Sequence, residues 1–519
     1  MPKVVCYTWF LDEWTEVNMR SDKRGALLVT IVLVASAILG GIYGPTARAT
    51  AAGATDLQSS VKNFAQVLTV VQQNYAIPVD SSKVVYDGAI PGMLRMLDPH
   101  SYFFDPHQWA ITLEDEQGRY YGVGMQIVQR PSDNKTQVVS PFVGSPAYKA
   151  GIRPGDIILK VDDKSTAGMG SIDIADMLKG PKGTTVHISM GRDGVPDPIV
   201  FTLVRDEIPK HDVDPPIMIR PGVGYIRLTG FNETTGDDVA AALKQLNPSS
   251  LTGLVLDLRD NPGGVVQAAL ESAAYFLKPG QKLLSVKGRS IQGQDVDAPK
   301  TATPYAFPVA VLVNAKTASA SEILAGALQD HDRAVILGEP SFGKGLVQNV
   351  FPLSSSTAVA LTTAFYYTPS GRSIQKPLAT GQLEVEKQKE QFKTDSGRVV
   401  TGGGGIQPDV DVQPDPPTRL RVALDASGVM TSFATEYTQK NKVNDRFEVT
   451  PSILEDFQVY ASEHSIQPGV AGWAVERAWV QSRLKQEILN QALGVAKGDE
   501  VEVQRDPIVR AAVESLGVR

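Results

Sequence analysis

The spacing of hydrophobic and polar positions divides the chain into segments of different secondary structure. Residues 57–97 carry apolar side chains at helical spacing, which predicts short helices that end in a turn at residues 97–100. Residues 118–206 change to short alternating strands, and residues 222–375 alternate strands with helices. Residues 453–493 return to a helical pattern. This predicts a multidomain α+β protein with an α/β layered core and helical amino- and carboxy-terminal regions.

The stretch between the α/β core and the last helices follows no regular period. Residues 384–399 are rich in charge, which predicts an exposed loop. Residues 402–405 are consecutive glycines, which predict a flexible link. We therefore expect the core to end near residue 400.

The composition of the chain excludes several classes of partner and of metal site. At 519 residues, with 42% hydrophobic and 21% charged residues, the chain has an ordinary globular composition and room for about three domains. Its formal net charge of -7 provides no general positive field for phosphates, so no nucleic acid is expected as a partner. A single cysteine, Cys6, allows no internal disulfide and no cysteine-based zinc site. The histidines include no HExxH pair, and His100 is predicted to belong to a turn rather than to a ligand set.

An uncharged apolar segment covers residues 25–43 and is long enough to span a bilayer. Basic residues cluster just before it, so the positive-inside rule predicts that residues 1–24 are cytoplasmic and that the main body is extracytoplasmic, or periplasmic. Residues 47–49 also fit a signal-peptide cleavage site. An uncleaved transmembrane anchor in the inner (plasma) membrane and a cleaved signal peptide both stay open.

Ser319 follows a buried-strand pattern at residues 308–313 and stands at the start of a predicted helix. A serine at such a turn can expose its hydroxyl at the edge of the sheet, where the positive end of the helix favours developing negative charge. Ser319 and Glu322 also match a capping box, which is an ordinary helix start. The motif by itself allows both a nucleophile and a helix cap.

Lys344 lies in a glycine-rich stretch between two apolar strands. Burial there would lower its pKa and make the amine a neutral general base for Ser319. Gln348 follows on the same face of the next strand and is predicted to orient the amine. A solvated turn lysine is one alternative. A P-loop is a weak one, because Gly345 replaces the Ser or Thr that holds Mg²⁺ and a strand follows where a helix is needed.

Two glycine loops can present backbone N–H groups to a ligand. Gly263 and Gly264 follow a predicted strand and can supply an oxyanion donor, although a tight turn alone explains an isolated pair of glycines. A second loop precedes a strand whose edge can accept an extended peptide, while its glycine N–H groups can cap a free carboxylate. An ordinary glycine turn is the alternative there. The second loop and the first strand residue are Tyr121, Gly122, Val123, Gly124 and Met125.

Six motifs occur together and in a defined order. They are LDPHS at 97–101, YGVGM at 121–125, SPAYKAGIRPGDIILKVDD at 145–163, LDLRDNPGG at 256–264, TASASEILAGALQDHDRA at 317–334 and GEPSFGKGLVQ at 338–348. With these motifs the chain resembles the carboxy-terminal processing (tail-specific) proteases, which are serine peptidases with a PDZ domain. The resemblance covers nearly the whole chain after the apolar segment.

The resemblance implies a role for each candidate residue. Ser319 would be the nucleophile, Lys344 the general base and Gln348 the residue that positions the lysine. The oxyanion hole would consist of the backbone N–H of Ala320 and that of one of the two glycines at 263–264.

The resemblance also implies that the PDZ domain binds substrate carboxy termini and gates the activity. Arg192, late in that domain, would couple ligand binding to activation. Lys316 departs from the family pattern, because a glycine is expected three residues before the nucleophile.

Pattern and resemblance together predict six regions. These are a cytoplasmic amino terminus (1–24), a transmembrane or signal segment (25–43), a helical region (51–117), a PDZ domain (118–206), a Ser-Lys protease core (207–400) and a mostly helical carboxy-terminal region (401–519). The predicted function is an extracytoplasmic serine endopeptidase that cleaves proteins near free, apolar carboxy termini without a cofactor. The alternative is a non-catalytic PDZ scaffold, and a homo-oligomer or an adaptor stays open.

Overall fold

The computed structural model describes residues 51–130, 133–192, 195–289, 291–378, 391–413 and 416–517. The predicted transmembrane or signal segment, residues 25–43, and the predicted cytoplasmic residues 1–24 lie outside this description. Within the ranges given, no helix has the length and apolarity that a membrane span requires.

The described residues fall into two compact units, which divide between Gly88 and Ala89. In the first unit, helix α1 covers Ala51–Asn74 and the short helix α2 covers Ser81–Lys83. Asp80 caps α2, since its carboxylate accepts the N–H groups of two residues in the helix. A π-helical turn, Val84–Ala89, and helix α3, Ile90–Arg95, continue the chain. The helices predicted between residues 57 and 97 are present.

The second unit continues with a strand and helix and then the strand-rich segment predicted for residues 118–206. The elements are β1 (Tyr102–Phe104), α4 (Pro106–Gln117), β2 (Arg119–Gly122), β3 (Met125–Gln129), β4 (Thr136–Pro141), α5 (Pro146–Lys149), β5 (Ile157–Val161), β6 (Lys164–Ser165), α6 (Ser171–Leu178), β7 (Thr185–Arg192), β8 (Val195–Val204) and β9 (Asp206–Pro209). Alternate residues Val186, Ile188 and Met190 of β7 are fully buried in the core of this segment, together with Ile174 of α6. The strand order is β3-β4-β5-β7-β8, so β3 is an edge strand.

The α/β core is built on a sheet in the order β10-β11-β12-β15-β16-β21, which is parallel except for β10. Its elements are β10 (Ile217–Arg220), β11 (Val223–Arg227), α7 (Thr235–Gln245), a 3-10 turn (Pro248–Ser250), β12 (Gly253–Asp257), α8 (Val266–Ala274), β15 (Val309–Val313), α9 (Ala320–Asp330), β16 (Ala334–Gly338) and β21 (Val410–Asp411). All five residues of β12 are buried, as expected for a strand covered on both faces. Leu254 and Leu256 pack with α7, α8 and α9, whereas Val255 belongs to the core on the opposite face.

An antiparallel sheet beside this core carries part of the candidate site. Its strands are β1, β13 (Lys282–Gly288), β14 (Ile291–Asp297), β17 (Leu346–Pro352) and β18 (Ala358–Tyr367). β18 pairs with β1, β13 and β17. The β17–β18 register shifts between Val347 and Gln348.

The carboxy-terminal part is mostly helical, as predicted. After the strand pair β19 (Phe392–Lys393) and β20 (Val399–Val400), the helices are α10 (Arg419–Ser427), α11 (Val429–Lys440), α12 (Pro451–Glu463), α13 (Val470–Leu493), α14 (Val495–Arg505) and α15 (Pro507–Ser515). Helices α10 to α13 enclose a core of their own, and α15 covers the outer face of the parallel sheet.

The glycines at 402–405 form no flexible link, so that prediction is wrong. The N–H of Gly403 donates to the Ser373 carbonyl at 2.7 Å, and that of Gly405 donates to the Ile374 carbonyl at 2.9 Å. A Cβ on Gly405 would lie 2.6 Å from the Ser341 carbonyl oxygen. Glycine is needed here for close packing against the core, and β21 extends the core sheet beyond the boundary predicted at residue 400.

Candidate active site

Ser319 occupies a sharp turn between β15 and α9. Its backbone has φ 55° and ψ -116°, a region that side-chain-bearing residues rarely adopt. The turn is anchored on the loop after β12: the Ala318 N–H donates to the Asn261 carbonyl at 3.0 Å, and Thr317 Oγ1 donates to the Leu258 carbonyl at 2.8 Å. A strained serine held at the start of a helix is the geometry that presents a nucleophile.

Gly263 lies directly against the Ser319 turn. A Cβ at this position would lie 2.9 Å from both the Ser319 Cβ and the Ala320 nitrogen, so only glycine fits. The Gly263 N–H is already engaged, since it donates to Asn261 Oδ1 at 2.9 Å. The amides of Gly264 and Ala320 donate to no protein acceptor in the part of the chain that the structure describes. These two are therefore the free candidates for an oxyanion hole.

A buried carboxylate, Glu322, joins the serine turn to the lysine loop. Glu322 Oε2 accepts the backbone N–H groups of Ser319 and Lys344, each at 2.9 Å. Glu322 Oε1 accepts the Gly343 N–H at 2.7 Å and the Ser341 hydroxyl. Burial raises the pKa of Glu322, and these four hydrogen bonds oppose that rise. The backbones of Ser319 and Lys344 thus lie within two hydrogen-bond lengths of each other.

Tyr366, on β18, makes a second link between the same two segments. Its buried hydroxyl is within hydrogen-bond distance of the Ser319 carbonyl, at 3.1 Å, and of the Lys344 carbonyl. Burial raises the pKa of Tyr366 well above its usual value, so the hydroxyl stays a donor. The sequence indicated Glu322 only as half of a capping box. It gave no local signal for Tyr366, because an aromatic residue is ordinary in an alternating strand.

Lys344 is half-buried and turned towards Gln348. Its Nζ donates to Gln348 Oε1 at 2.6 Å, and Gln348 Nε2 donates to the His100 carbonyl. Burial lowers the pKa of Lys344, with the charges of Glu322 and Asp98 acting in the opposite sense. Across the described ranges, no hydrogen bond joins the Ser319 hydroxyl to the Lys344 amine. The chain after Lys344 enters β17 rather than a helix, which removes the P-loop interpretation.

Family models match two parts of the chain: peptidase family S41 at residues 222–412 and a PDZ domain at residues 138–189. A carboxy-terminal-processing protease of Bartonella bacilliformis is 39% identical over 331 residues, which cover 62% of this chain and 74% of that protein. The chain belongs to this family. A carboxyl-terminal-processing protease of Synechocystis is 40% identical over 292 residues, covering 56% of this chain and 68% of that one. A solved photosystem II D1 C-terminal processing protease is 30% identical to this chain. The match covers 68% of this chain and 87% of that protein, with a TM-score of 0.37.

Membership of the carboxy-terminal processing proteases makes the chain a serine-type peptidase with a PDZ domain, as the motifs predicted. The predicted fold class, a mixed α/β protein with these two domains and helical ends, is confirmed. Among the described residues, no three His, Cys, Asp or Glu side chains form a group that could hold a metal ion.

The predicted carboxylate-binding loop lies between β2 and edge strand β3. Gly124 has φ 75°, and a Cβ there would lie 2.4 Å from the Cβ of Ser145. Ser145 Oγ donates to the Gly124 carbonyl at 2.7 Å, and Val123 and Met125 are buried in the core of this segment. The loop is therefore rigid, and it stands at the open edge of the sheet.

The structure does not bring Arg192 to this loop. Arg192 lies at the end of β7, three strands away from β3, and its guanidinium binds the buried carboxylate of Asp156 through two contacts of 2.7 Å. Its role in activation stays a prediction. Lys316, the departure from the family pattern, is 79% exposed and pairs with Asp260 at 3.1 Å, so it leaves the serine turn undisturbed.

Proposed function

We propose that this protein is an endopeptidase that cleaves proteins near their carboxy termini with Ser319 as nucleophile and Lys344 as general base. The observation that carries the proposal is the shared carboxylate oxygen of Glu322, which receives the N–H groups of both residues. It holds a strained serine and a lysine of lowered pKa in one small site. Membership of the processing-protease family supports the same chemistry.

In the proposed reaction, the neutral Lys344 amine takes the proton of the Ser319 hydroxyl while Oγ attacks the scissile carbonyl carbon. The free N–H groups of Gly264 and Ala320 stabilise the negative oxygen of the tetrahedral intermediate. Lys344 then gives the proton to the leaving amine, and the C–N bond breaks to leave an acyl-enzyme. Water, deprotonated by the same amine, hydrolyses the ester and restores Ser319. Gly263 contributes by its missing side chain rather than as a donor.

The lysine amine must present its lone pair to the Ser319 hydroxyl before it can act. Its amine donates to Gln348, and we expect a side-chain movement towards Ser319 that keeps this contact when the substrate is bound. A burial-lowered pKa makes this change easier, because a neutral amine loses less solvation than an ammonium ion. Gln348 is proposed to hold the amine aligned with the Ser319 hydroxyl.

We further propose that residues 121–125 bind the free carboxylate of a substrate whose extended tail adds to β3. We expect the bound tails to be apolar, and their binding would gate cleavage. The apolar segment 25–43 and the basic residues before it support an extracytoplasmic location for the peptidase. A reporter fused after residue 519 would test that location, since a periplasmic-only reporter should be active there.

The direct test uses the purified full chain and an unfolded protein with an apolar carboxy terminus, with products read by mass spectrometry. Ser319→Ala and Lys344→Ala should each lower kcat by about 10⁴-fold or more without a change in the folded state. Lys316→Ala is the matched lysine control, because Lys316 is exposed and close in sequence to the nucleophile. Retained cleavage in either of the first two variants would refute the proposal. A wild-type chain that binds the tail and never cuts it would support the scaffold alternative instead.

A further inference from the structure

The turn at residues 97–101, which the sequence indicated as a helix stop and as one of the six motifs of the resemblance, contacts the predicted catalytic machinery. Asp98 is 2% exposed and folds this turn. Its Oδ1 accepts the N–H groups of His100 and Ser101, each at 2.7 Å, and its Oδ2 accepts the Ser101 hydroxyl at 2.7 Å. A buried carboxylate whose two oxygens are both used within one short turn makes that turn rigid.

The turn is fastened to the strand next to Gln348. Ser101 Oγ accepts the backbone N–H of Thr362 at 3.1 Å, and Thr362 is the cross-strand partner of Gln348 in the β17–β18 pair. The chain then continues into β1, whose first residue, Tyr102, pairs with Ala360 of β18. The turn is thus held at a fixed place relative to the Gln348 side chain.

From this place the His100 carbonyl accepts the Gln348 Nε2–H. A carbonyl can only accept a hydrogen bond, so it selects the amide orientation in which Nε2 faces His100 and Oε1 faces Lys344. In that orientation Oε1 accepts one N–H of the lysine and leaves the lone pair of a neutral amine free. In the reverse orientation, Nε2–H would compete with Ser319 for that lone pair.

We propose that Asp98 and Ser101 are positioning residues of the catalytic base: they fold the turn that presents the His100 carbonyl, which orients the Gln348 amide and, through it, the Lys344 amine. This inference rests on the proposed role of Lys344. It assigns a function in the reaction to the LDPHS segment, which lies more than 200 residues before the nucleophile in the chain.

Asp98 also acts on Lys344 through its charge. The charged and titratable groups that face Lys344 are Glu322 from α9, Asp98 and His100 from the turn, and the Tyr366 hydroxyl from β18. Burial, followed by the charge of Lys344, lowers the pKa of His100, so its ring is neutral near pH 7. The Asp98 carboxylate favours the protonated lysine, against the effect of burial. Removing only this charge should therefore lower the pKa of Lys344.

Two substitutions at Asp98 separate geometry from charge. Asp98→Asn keeps Oδ1 as an acceptor for the two backbone N–H groups and removes the charge. The base must be neutral to act, so the acid limb of the kcat/KM profile should move to lower pH while kcat stays within about threefold. Asp98→Ala removes the turn as well, and kcat should fall by roughly 10- to 100-fold with KM within about twofold. Ser101→Ala should lower kcat by less than Asp98→Ala does, again with little change in KM.

The matched control is Asp105→Ala, a few residues later in the chain. Asp105 caps α4 by accepting the Gln108 N–H at 2.8 Å, so its loss loosens the same segment without touching the turn. It should leave the acid limb unchanged. If Asp98→Ala and Asp105→Ala give the same kcat and the same acid limb, the inference is wrong. Should Asp98→Ala fail to fold, Asp98→Asn and Ser101→Ala carry the test, and wild-type profiles in both would overturn it.

A second measurement does not depend on turnover. The rate of Lys344 acylation by acetic anhydride, followed against pH by peptide mass spectrometry, reports the pKa of this lysine directly. In the Ser319→Ala background, Asp98→Asn should lower that pKa and Gln348→Glu, which adds a charge and cannot donate to His100, should raise it. An unchanged value in Asp98→Asn refutes the charge effect of Asp98, and an unchanged value in Gln348→Glu refutes the contact through which the turn is proposed to position the lysine. Cleavage that survives in Lys344→Ala would instead refute the proposed function.

Discussion

The catalytic region and the PDZ region satisfy their polar groups in opposite ways. Around Ser319 and Lys344, buried Glu322 accepts four hydrogen bonds and the Tyr366 hydroxyl lies within hydrogen-bond distance of two carbonyls, so most polar groups there are paired within the chain. The PDZ sheet ends in edge strand β3 beside a rigid glycine loop, so it offers pairing to another chain. The difference indicates that the backbone of the peptidase site is held in place before substrate arrives, whereas the PDZ edge would become fully paired only if a peptide added to β3 as proposed.

The largest effect is expected from removing the carboxylate at the centre of the peptidase site. Glu322→Ala leaves buried donors from four residues without an acceptor, so the free energy of unfolding should fall by about 3 kcal/mol or more. Because the serine turn and the lysine loop are then released from each other, kcat should fall by roughly 1,000-fold. Chemical denaturation and steady-state kinetics measure both. Glu455→Ala on α12, far along the chain, is the control, and equal losses in the two variants would contradict the central role of Glu322.

A smaller change tests the close approach of Gly263 to the nucleophile. Gly263→Ala places a Cβ against the Ser319 turn, and kcat should fall by about 100-fold. Gly280→Ala is the matched control: Gly280 also has a positive φ, 76°, but a Cβ there meets nothing within 4 Å. Both variants bear the backbone strain, and only the first should lose activity. A comparable loss in Gly280→Ala would attribute the effect to strain alone.

On the PDZ side, Gly124→Ala should affect binding and spare the chemistry. The added Cβ would meet Ser145 and displace the predicted carboxylate loop. KM for a substrate with a free apolar tail should rise about tenfold, or ~1.4 kcal/mol, while kcat for a short peptide without that tail should stay within about twofold. Gly144→Ala has a similar φ, 81°, and open space, so it serves as control. If kcat for the short peptide also falls, the PDZ loop influences the chemistry of the peptidase site as well as the binding of the tail.

The smallest expected effect is that of Tyr366→Phe. The ring stays and one hydroxyl is lost, so the free energy of unfolding should fall by about 1 kcal/mol and kcat by only a few-fold. Thermal unfolding and kinetics of the purified variant measure both quantities. A loss as large as that of Glu322→Ala would mean that Tyr366, and not the carboxylate, holds the two segments together.

The sequence predicts the site best where residues that are close along the chain also carry the chemistry. The strand-to-helix turn at Ser319 and the contact between Lys344 and Gln348 follow from periodicity, and both are present in the structure. The sequence predicts poorly where a segment far away in the chain sets the burial and the contacts of a residue. The Asp-His-Asp run at 330–332 by itself indicates a solvated helix end, yet the His331 side chain is 8% exposed and lies within hydrogen-bond distance of Asp395 and of the Lys282 carbonyl.

By itself, the sequence determined the order of elements, the family and the residue types capable of peptidase chemistry, because these depend on local spacing and on motifs read along the chain. Only the tertiary structure decided which groups surround them. Glu322 became a shared acceptor, and Asp98 became a neighbour of Lys344, when β17, β18 and the 97–101 turn came together. Burial and hydrogen bonding across long sequence separations set these roles, and no local pattern encodes them.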